Sequence, residues 1–409
     1  MKIAFLLHNA YAIGGTVRTT LNLAAALVEH GGHEVEIASL SRHRETPRFP
    51  VDPRISLVPL VDVRADAPDT RQPAYDEPAR HYPTTDKRYK QYTHLHDIRV
   101  REYLEGGCDA DVVIGTRPGL NVYLAQWAPR RALRIAQEHL RHDAHSSKLL
   151  KTVARRYRAL DALVTVTKED AEVYRATTRL PGVRILSVPN IVPPSAVPPS
   201  DGTSTIIAAA GRLAPGKRYD LLLEAFTPVA AKHPDWELRV YGGGSQEPHL
   251  RALIDEFGLR GRARLMGAVS PIEPEFARAS IVVSASDEES FGMTLVEAMR
   301  CGVPVVSTDA PLGPAEIITD GVDGRLVPVG NAPALAETLI DLIEDAPGRL
   351  AMGTAALASA HRYDPEPIVD RYEALFAELA ATRGRRAWLK RRARAAAWTR
   401  RQARRFRPR

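Results

Sequence analysis

Cysteine is almost absent: the 409-residue chain has two, Cys108 and Cys301. Two thiols exclude a disulfide-stapled scaffold and are too few for a thiolate zinc site, so a reducing cytoplasm suits the chain. Long hydrophobic runs are also lacking. Stretches such as Ile206-Ile207-Ala208-Ala209-Ala210 have the length of a strand and fall short of the ~20 residues that span a bilayer. The N-terminal run Ile3-Ala4-Phe5-Leu6-Leu7 is too short for a secretory signal and reads as a first strand. Acidic residues are missing from 383–409, where thirteen of the 56 Lys and Arg residues lie. The remainder, 43 basic against 49 acidic residues, carries −6, so the net charge of +7 belongs to a tail. That distribution argues against a folded body that binds nucleic acid.

What is present is an ordinary globular balance, 44% hydrophobic and 26% charged, over a length that suits two α/β domains. Strand-like and helix-like segments alternate, the pattern of a parallel α/β fold. In the first half, strands are predicted at 2–8, 34–40, 111–116, 133–137, 162–167 and 184–188, with a helix over 16–30 after Gly14-Gly15. Residues 62–87, rich in Asp, Arg and Pro, read as a long surface excursion. A Pro- and Ser-rich linker is predicted at 189–204. It separates an N-terminal domain, 1–188, from a C-terminal domain, 205–367. Strands at 205–210, 237–241, 264–266, 281–284, 303–307 and 325–327 follow the linker. A last helix within 368–382 precedes the basic tail, 383–409.

Four features of the second half carry chemistry. Gly211-Arg212-Leu213-Ala214-Pro215-Gly216-Lys217 follows a strand and leads into a helix, which sets backbone amides at the carboxyl edge of the sheet. Arg212 can grip two oxygens of a diphosphate while Lys217 adds a point charge. Tyr241-Gly242-Gly243-Gly244 follows the next strand, as a close approach to ligand or a flexible turn. In Glu289-Ser290-Phe291-Gly292-Met293-Thr294-Leu295-Val296-Glu297, the amides of Gly292, Met293 and Thr294 can face an anion. The two carboxylates there suit hydroxyl-rich ligands. Gly313-Pro314-Ala315-Glu316, with Gly321 and Gly324, forms a rigid loop near the same edge.

These motifs, with Glu297-Ala298-Met299-Arg300-Cys301-Gly302-Val303-Pro304 and Gly14-Gly15, resemble the retaining family-four glycosyltransferases of GT-B fold. The likeness covers nearly all of 1–380 and is strongest over 205–330. It implies two Rossmann-like domains facing a central cleft, with the 368–382 helix packed back on the N-terminal domain. It also implies that Arg212 and Lys217 hold the donor diphosphate, Glu297 the ribose hydroxyls and Glu289 the transferred sugar. Phe291 to Thr294 line the donor, and Gly15 lies under it. His139, after the strand 133–137, is the counterpart of a histidine that contacts the donor sugar, although Glu138 departs from the family pattern and His142 or His145 can be matched instead.

The activity implied is transfer of a hexosyl group, with retention, from a nucleotide-sugar to a sugar or lipid-linked glycan. UDP is the first choice of nucleotide and GDP the second; no tightly bound cofactor and no metal are expected. Asp109-Ala110-Asp111 resembles a metal motif of another transferase fold, but it precedes its strand and reads as a solvated turn. The tail, with Trp388, Leu389, Trp398 and Phe406 among its cations, is either a peripheral anchor for the inner face of an anionic membrane or a disordered extension. Rival readings are a nucleotide-sugar epimerase and a nucleic-acid-binding protein acting through the tail.

Overall fold

The computed structural model describes residues 1–405, with side chains to Trp398; Phe406 lies outside the described residues. The chain divides into two compact units, Met1–Ile191 with Pro365–Arg409, and Val192–Asp364.

The first unit is built on seven strands: β1 (Lys2–Leu7), β2 (Glu34–Arg42), β3 (Ser56–Asp62), β4 (Val112–Gly115), β5 (Leu133–Glu138), β6 (Ala162–Thr165) and β7 (Arg184–Ser187). They form one parallel sheet in the order β3-β2-β1-β4-β5-β6-β7. Its helices longer than one turn are α1 (Gly15–Glu29), α2 (His94–Glu102), α3 (Pro118–Trp127), α4 (Ser147–Arg156) and α5 (Lys168–Thr177). The central strands β1 and β4 are apolar after Lys2, as a sheet covered on both faces requires. One core gathers Phe5, Ile37, Ile114 and Ile135 beneath α1; the opposite face gathers Leu6, Val113, Tyr123 and Tyr157.

The second unit repeats the plan with β8 (Ile206–Ala210), β9 (Glu237–Tyr241), β10 (Ala263–Gly267), β11 (Ile281–Ser284), β12 (Val305–Thr308) and β13 (Gly324–Val327). Its order is β10-β9-β8-β11-β12-β13, again all parallel. Helices α6 (Tyr219–Lys232), α7 (Glu247–Glu256), α8 (Met293–Arg300), α9 (Ala332–Glu344) and α10 (Ala346–Ala360) cover it. In both units the chain reverses direction across the sheet between the first and fourth strands, where doubly wound folds open a crevice for ligands.

The chain then returns to the first unit as α11 (Pro365–Ala381) and α12 (Arg383–Arg405). Along α11, Ile368, Val369, Tyr372, Leu375, Phe376 and Leu379 are buried in the core beneath α1.

The structure sharpens three expectations. Residues 62–87 are not a loose excursion. They contain short helical turns at Pro68–Arg71 and Pro73–Asp76, and Tyr82 is buried, stacked on Tyr92 with ring centroids 3.9 Å apart. Gly119, at the start of α3, is the reason it fits, since a Cβ there would stand 2.0 Å from the Tyr82 ring. The stretch 189–204 is not a free linker either. Ile191 and Val192 are buried, and Ser200 donates from its amide to the Cys301 carbonyl and from its hydroxyl to that of Ala279. Finally, of the two readings left open for the tail, a helix or a disordered extension, 383–405 is helical, and Arg386 is buried against Asp161.

Candidate active site

The most concentrated chemistry in the second unit lies at the carboxyl ends of β8 and β11. After β8 the chain turns through Gly211, at φ 151°, and runs Arg212 to Lys217 before α6. Arg212 is exposed and has no ion-pair partner among the described residues. The loop is braced by the one after β9: the amide of Gly211 donates to the Tyr241 carbonyl and that of Leu213 to the Gly243 carbonyl. Gly242 and Gly244 serve this brace, because a Cβ at either would stand 1.8 Å from the Gly211 oxygen or 2.3 Å from the Leu213 oxygen. The triple glycine therefore lets two loops touch, which neither sequence-level reading anticipated.

After β11, Ser286 to Gly292 lead into α8. The Lys217 ammonium donates to the Glu289 carboxylate, which also accepts from the Ser286 hydroxyl at 3.0 Å. Glu289 is mostly buried and Lys217 half-buried. The Asp287 amide donates to the Gly216 carbonyl at 3.0 Å, tying the two loops through backbone as well. Arg218, which the motif reading missed, adopts φ 48° and reaches Asp287 at 3.0 Å and Asp220 at 3.2 Å. A left-handed arginine costs roughly 1 kcal/mol, so these ion pairs and the tight turn hold it there. No sequence signal marks such a backbone conformation.

Gly292, at φ 107°, ends the loop, and α8 starts without a side-chain cap, so the amides of its first turn remain for another acceptor. Met293 and Thr294 are half-buried, and Phe291 is buried edge-on to Tyr363 at 5.5 Å. Glu297, one turn into α8, is buried. Gly313 supports this loop from behind, because a Cβ there would stand 2.2 Å from the Phe291 carbonyl oxygen. The loop carrying Gly313-Pro314 thus buttresses the Glu289–Glu297 run.

In the first unit, Gly14 and Gly15 open α1 with free space where their Cβ atoms would be. Nothing in the protein demands glycine there on steric grounds, which leaves room for a ligand against the backbone. His139 follows β5, yet its ring does not face open solvent. Both ring nitrogens are buried without a hydrogen-bond partner, and burial lowers its pKa to about 4. It lines a small cavity with Gln137, Asn190 and Tyr372, room for about one water. His142 and His145 are engaged elsewhere: His142 meets the Thr177 hydroxyl at 3.1 Å, and His145 lies 3.6 Å from the buried Glu138. Glu138 itself accepts from Asn121 at 3.0 Å and from the Tyr157 hydroxyl.

A second cluster escaped the sequence reading. Arg117 follows β4 and is largely buried; one guanidinium nitrogen lies 3.4 Å from Asp86, while its Nε and the second Asp86 oxygen are buried without partners. Burial and the nearby Arg117 and Arg88 drive the pKa of His8 down to about 3. The signal was an arginine directly after an apolar strand, at the same topological position as the site in the second unit. Asp109 and Asp111 instead hold the amino end of β1: Lys2 pairs with Asp109 at 2.6 Å and donates from its amide to Asp111 at 3.0 Å. No group of three or more potential metal-ligating side chains occurs among the described residues.

Two parallel sheets of this strand order define the GT-B class of paired Rossmann-like domains, and solved structures agree. A mutant of S. aureus TarM, crystallised with Fondaparinux, alpha-GlcNAc-glycerol and UDP, has a TM-score of 0.74 at 15% identity, covering 92% of this chain and 99% of that one. Anabaena HepE in complex with UDP and glucose scores 0.69 at 18% identity, covering 92% and 100%.

Residues 195–358 match the family model described as "Glycosyl transferases group 1". An exopolysaccharide phosphotransferase of Streptomyces coelicolor is 34% identical over 396 residues, 94% of this chain; the chain spans only 41% of that relative's length. An uncharacterized glycosyltransferase of Haemophilus influenzae is 22% identical, over 91% of this chain and 99% of its own. The family match lies within the second unit, and the likeness to solved structures shows the fold.

Proposed function

We propose that the chain is a retaining family-four glycosyltransferase that moves a hexosyl group from a nucleotide-sugar, UDP-linked in the first instance, to a sugar or lipid-linked glycan of the cell envelope or an exopolysaccharide. The observation that carries the reading is Lys217 held on Glu289 beside the exposed Arg212 and the uncapped start of α8, at the crevice of the second sheet. A diphosphate suits that setting, because Arg212, Lys217 and the amides at Gly292 to Thr294 can take the charge that develops as it departs. In the resting protein Lys217 is occupied by Glu289. A donor diphosphate competes for the ammonium and releases the carboxylate to the sugar hydroxyls.

In the transfer, the bond from the anomeric carbon to the phosphate oxygen breaks and a bond to the acceptor oxygen forms on the same face. The acceptor proton leaves with the phosphate. Glu297 is assigned to the ribose, Phe291 to the donor loop, Gly15 to close backbone approach, and His139 to the transferred sugar. The unpartnered ring nitrogens of His139 support its assignment. The acceptor side is supported by Arg117 and Asp86, whose orphaned atoms offer one donor and one acceptor. Envelope polymers are supported by relatives such as a poly(ribitol-phosphate) alpha-N-acetylglucosaminyltransferase of Staphylococcus aureus, 28% identical over 47% of this chain. Peripheral attachment to the inner face of the membrane is supported by α12, with its cations and exposed Trp388 and Trp398.

The test is a panel of UDP- and GDP-sugars with glycan acceptors, followed by nuclear magnetic resonance of the product's anomeric proton. Acceptor-dependent product with the donor's configuration, formed also in the presence of a chelator, is expected. Sugar interconversion without an acceptor would favour the epimerase reading, and an inverted product would remove the retaining assignment.

A further inference from the structure

Helix α12 is fixed to the first unit by Arg386 and Lys390, one turn apart on one helical face. Arg386 pairs with Asp161 at 2.5 Å, and Lys390 donates to the Leu160 carbonyl at 2.6 Å and reaches Asp161 at 3.2 Å. Gly182 admits the helix, since a Cβ there would stand 2.6 Å from the Arg386 carbonyl oxygen.

Beyond these ties the helix and the body part to form a surface groove of about 230 Å³. It is lined by the apolar Pro181, Ala393, Ala397 and Trp398 together with Arg158, Lys390 and Arg394. These two arginines come from different parts of the chain, are exposed, and have no ion-pair partner among the described residues. The Lys390 ammonium is spent on Leu160 and Asp161, and Asp161, the carboxylate behind the groove, is already shared by Arg386, Lys390 and Arg134. No carboxylate lines the groove among the described residues. An apolar cavity of ~150 Å³ is enough to take a benzene ring, so this one has room for a short hydrocarbon segment. A groove lined by apolar side chains and by two arginines is complementary to a phosphate that carries an alkyl chain.

We propose that this groove binds a single anionic phospholipid of the bilayer, its phosphate gripped by Arg158 and Arg394 and the start of its acyl chain lying against Pro181, Ala393, Ala397 and Trp398. The inference rests on the membrane reading of α12 and is independent of the donor chemistry. It goes beyond electrostatic adsorption of a basic helix, because it requires Arg158, which is not on that helix, and places a lipid chain beside one tryptophan.

The test is flotation of the full chain with vesicles of phosphatidylcholine, with and without phosphatidylglycerol. The wild type floats with the anionic vesicles only. Arg158→Glu and Arg394→Glu each weaken binding about tenfold more than Arg392→Glu, the same charge change outside the groove, whose own cost is that of a surface cation. Arg392 lies over the Trp388 ring instead, at 5.3 Å. In a Trp388→Phe background, lipid brominated near the carboxyl end of its chain quenches Trp398 fluorescence. Soluble glycerol 3-phosphate, which lacks the chain, does not displace the protein from vesicles. Equal weakening by all three reversals would mean adsorption of a polyanion by net charge and would overturn the groove. So would unquenched Trp398 or displacement by glycerol 3-phosphate. A wild type that fails to float would remove the membrane reading with it, leaving donor transfer untouched.

Discussion

Lys217 and Glu289 illustrate how far single residues can be read. Both were singled out as loop residues after strands, and their roles came from the family resemblance; the structure brings the two loops together at the edge of a doubly wound sheet. Their direct ion pair was not legible, since it depends on Arg218 turning left-handed and on Asp287 bonding the Gly216 carbonyl. The pairing leads to a specific expectation. Arg212→Ala and Lys217→Ala should each lower kcat/KM by ~10²- to 10³-fold, the usual cost of losing a group that stabilises departing charge. Asp109→Ala should stay near wild type in steady-state assays, because its carboxylate holds Lys2 at the opposite edge of the sheet. Equal activity in all three variants would remove the diphosphate assignment.

Elements were legible where apolar runs are uninterrupted and obscure where they are not. The central strands could be read directly, but β3 (Ser56–Asp62) was missed because Pro59 breaks its pattern. Proline is tolerated there because β3 is the edge strand of its sheet. The 62–87 segment gave no periodicity because it is held by tyrosine stacking and a complementary glycine, not by a repeating face. The same logic makes Gly242→Ala and Gly313→Ala costly: each methyl meets backbone oxygen, and a loss of ~1–3 kcal/mol is expected from denaturant titration.

The docking of α12 brings a pH dependence. Burial pushes the Asp161 carboxyl up, but Lys390, Arg134 and Arg386 outweigh it and hold the group below its ordinary value. A carboxyl depressed in the folded state contributes its stability above the unfolded pKa and loses it as pH falls through the folded one. Amides near Arg386 and Lys390 should therefore stay protected from hydrogen exchange at neutral pH and open in acid, below the normal range of an aspartate. Asp161→Asn should open them at neutral pH, because a buried partner removed from an ion pair costs ~3–5 kcal/mol. Protection unchanged in that variant would mean that apolar contacts alone hold the helix.

At the scale of the whole molecule, the two units repeat one strand order but differ in chemistry. The sequence announced the repetition through its alternating segments, and the division between the units falls inside the stretch read as a linker. Composition at 189–204 looks like a tether, whereas Ile191 and Val192 are buried and Arg300 donates to the Val192 carbonyl at 2.8 Å. The unit that holds the cationic loops is assembled from one continuous stretch, Val192–Asp364, and the unit carrying α12 from two. This separation makes donor binding and lipid binding independent properties of one chain. UDP at a hundred times its Kd should stabilise the protein by ~2.7 kcal/mol, read as a rise in Tm. A variant with both Arg212→Ala and Lys217→Ala should lose most of that rise, while Arg158→Glu and Arg394→Glu, which weaken flotation on anionic vesicles, should keep it. If reversing the groove arginines erased the UDP response, the two sites would be coupled. If the double alanine variant kept the full rise, the nucleotide would be bound elsewhere, and the crevice between β8 and β11 would have to be given another ligand.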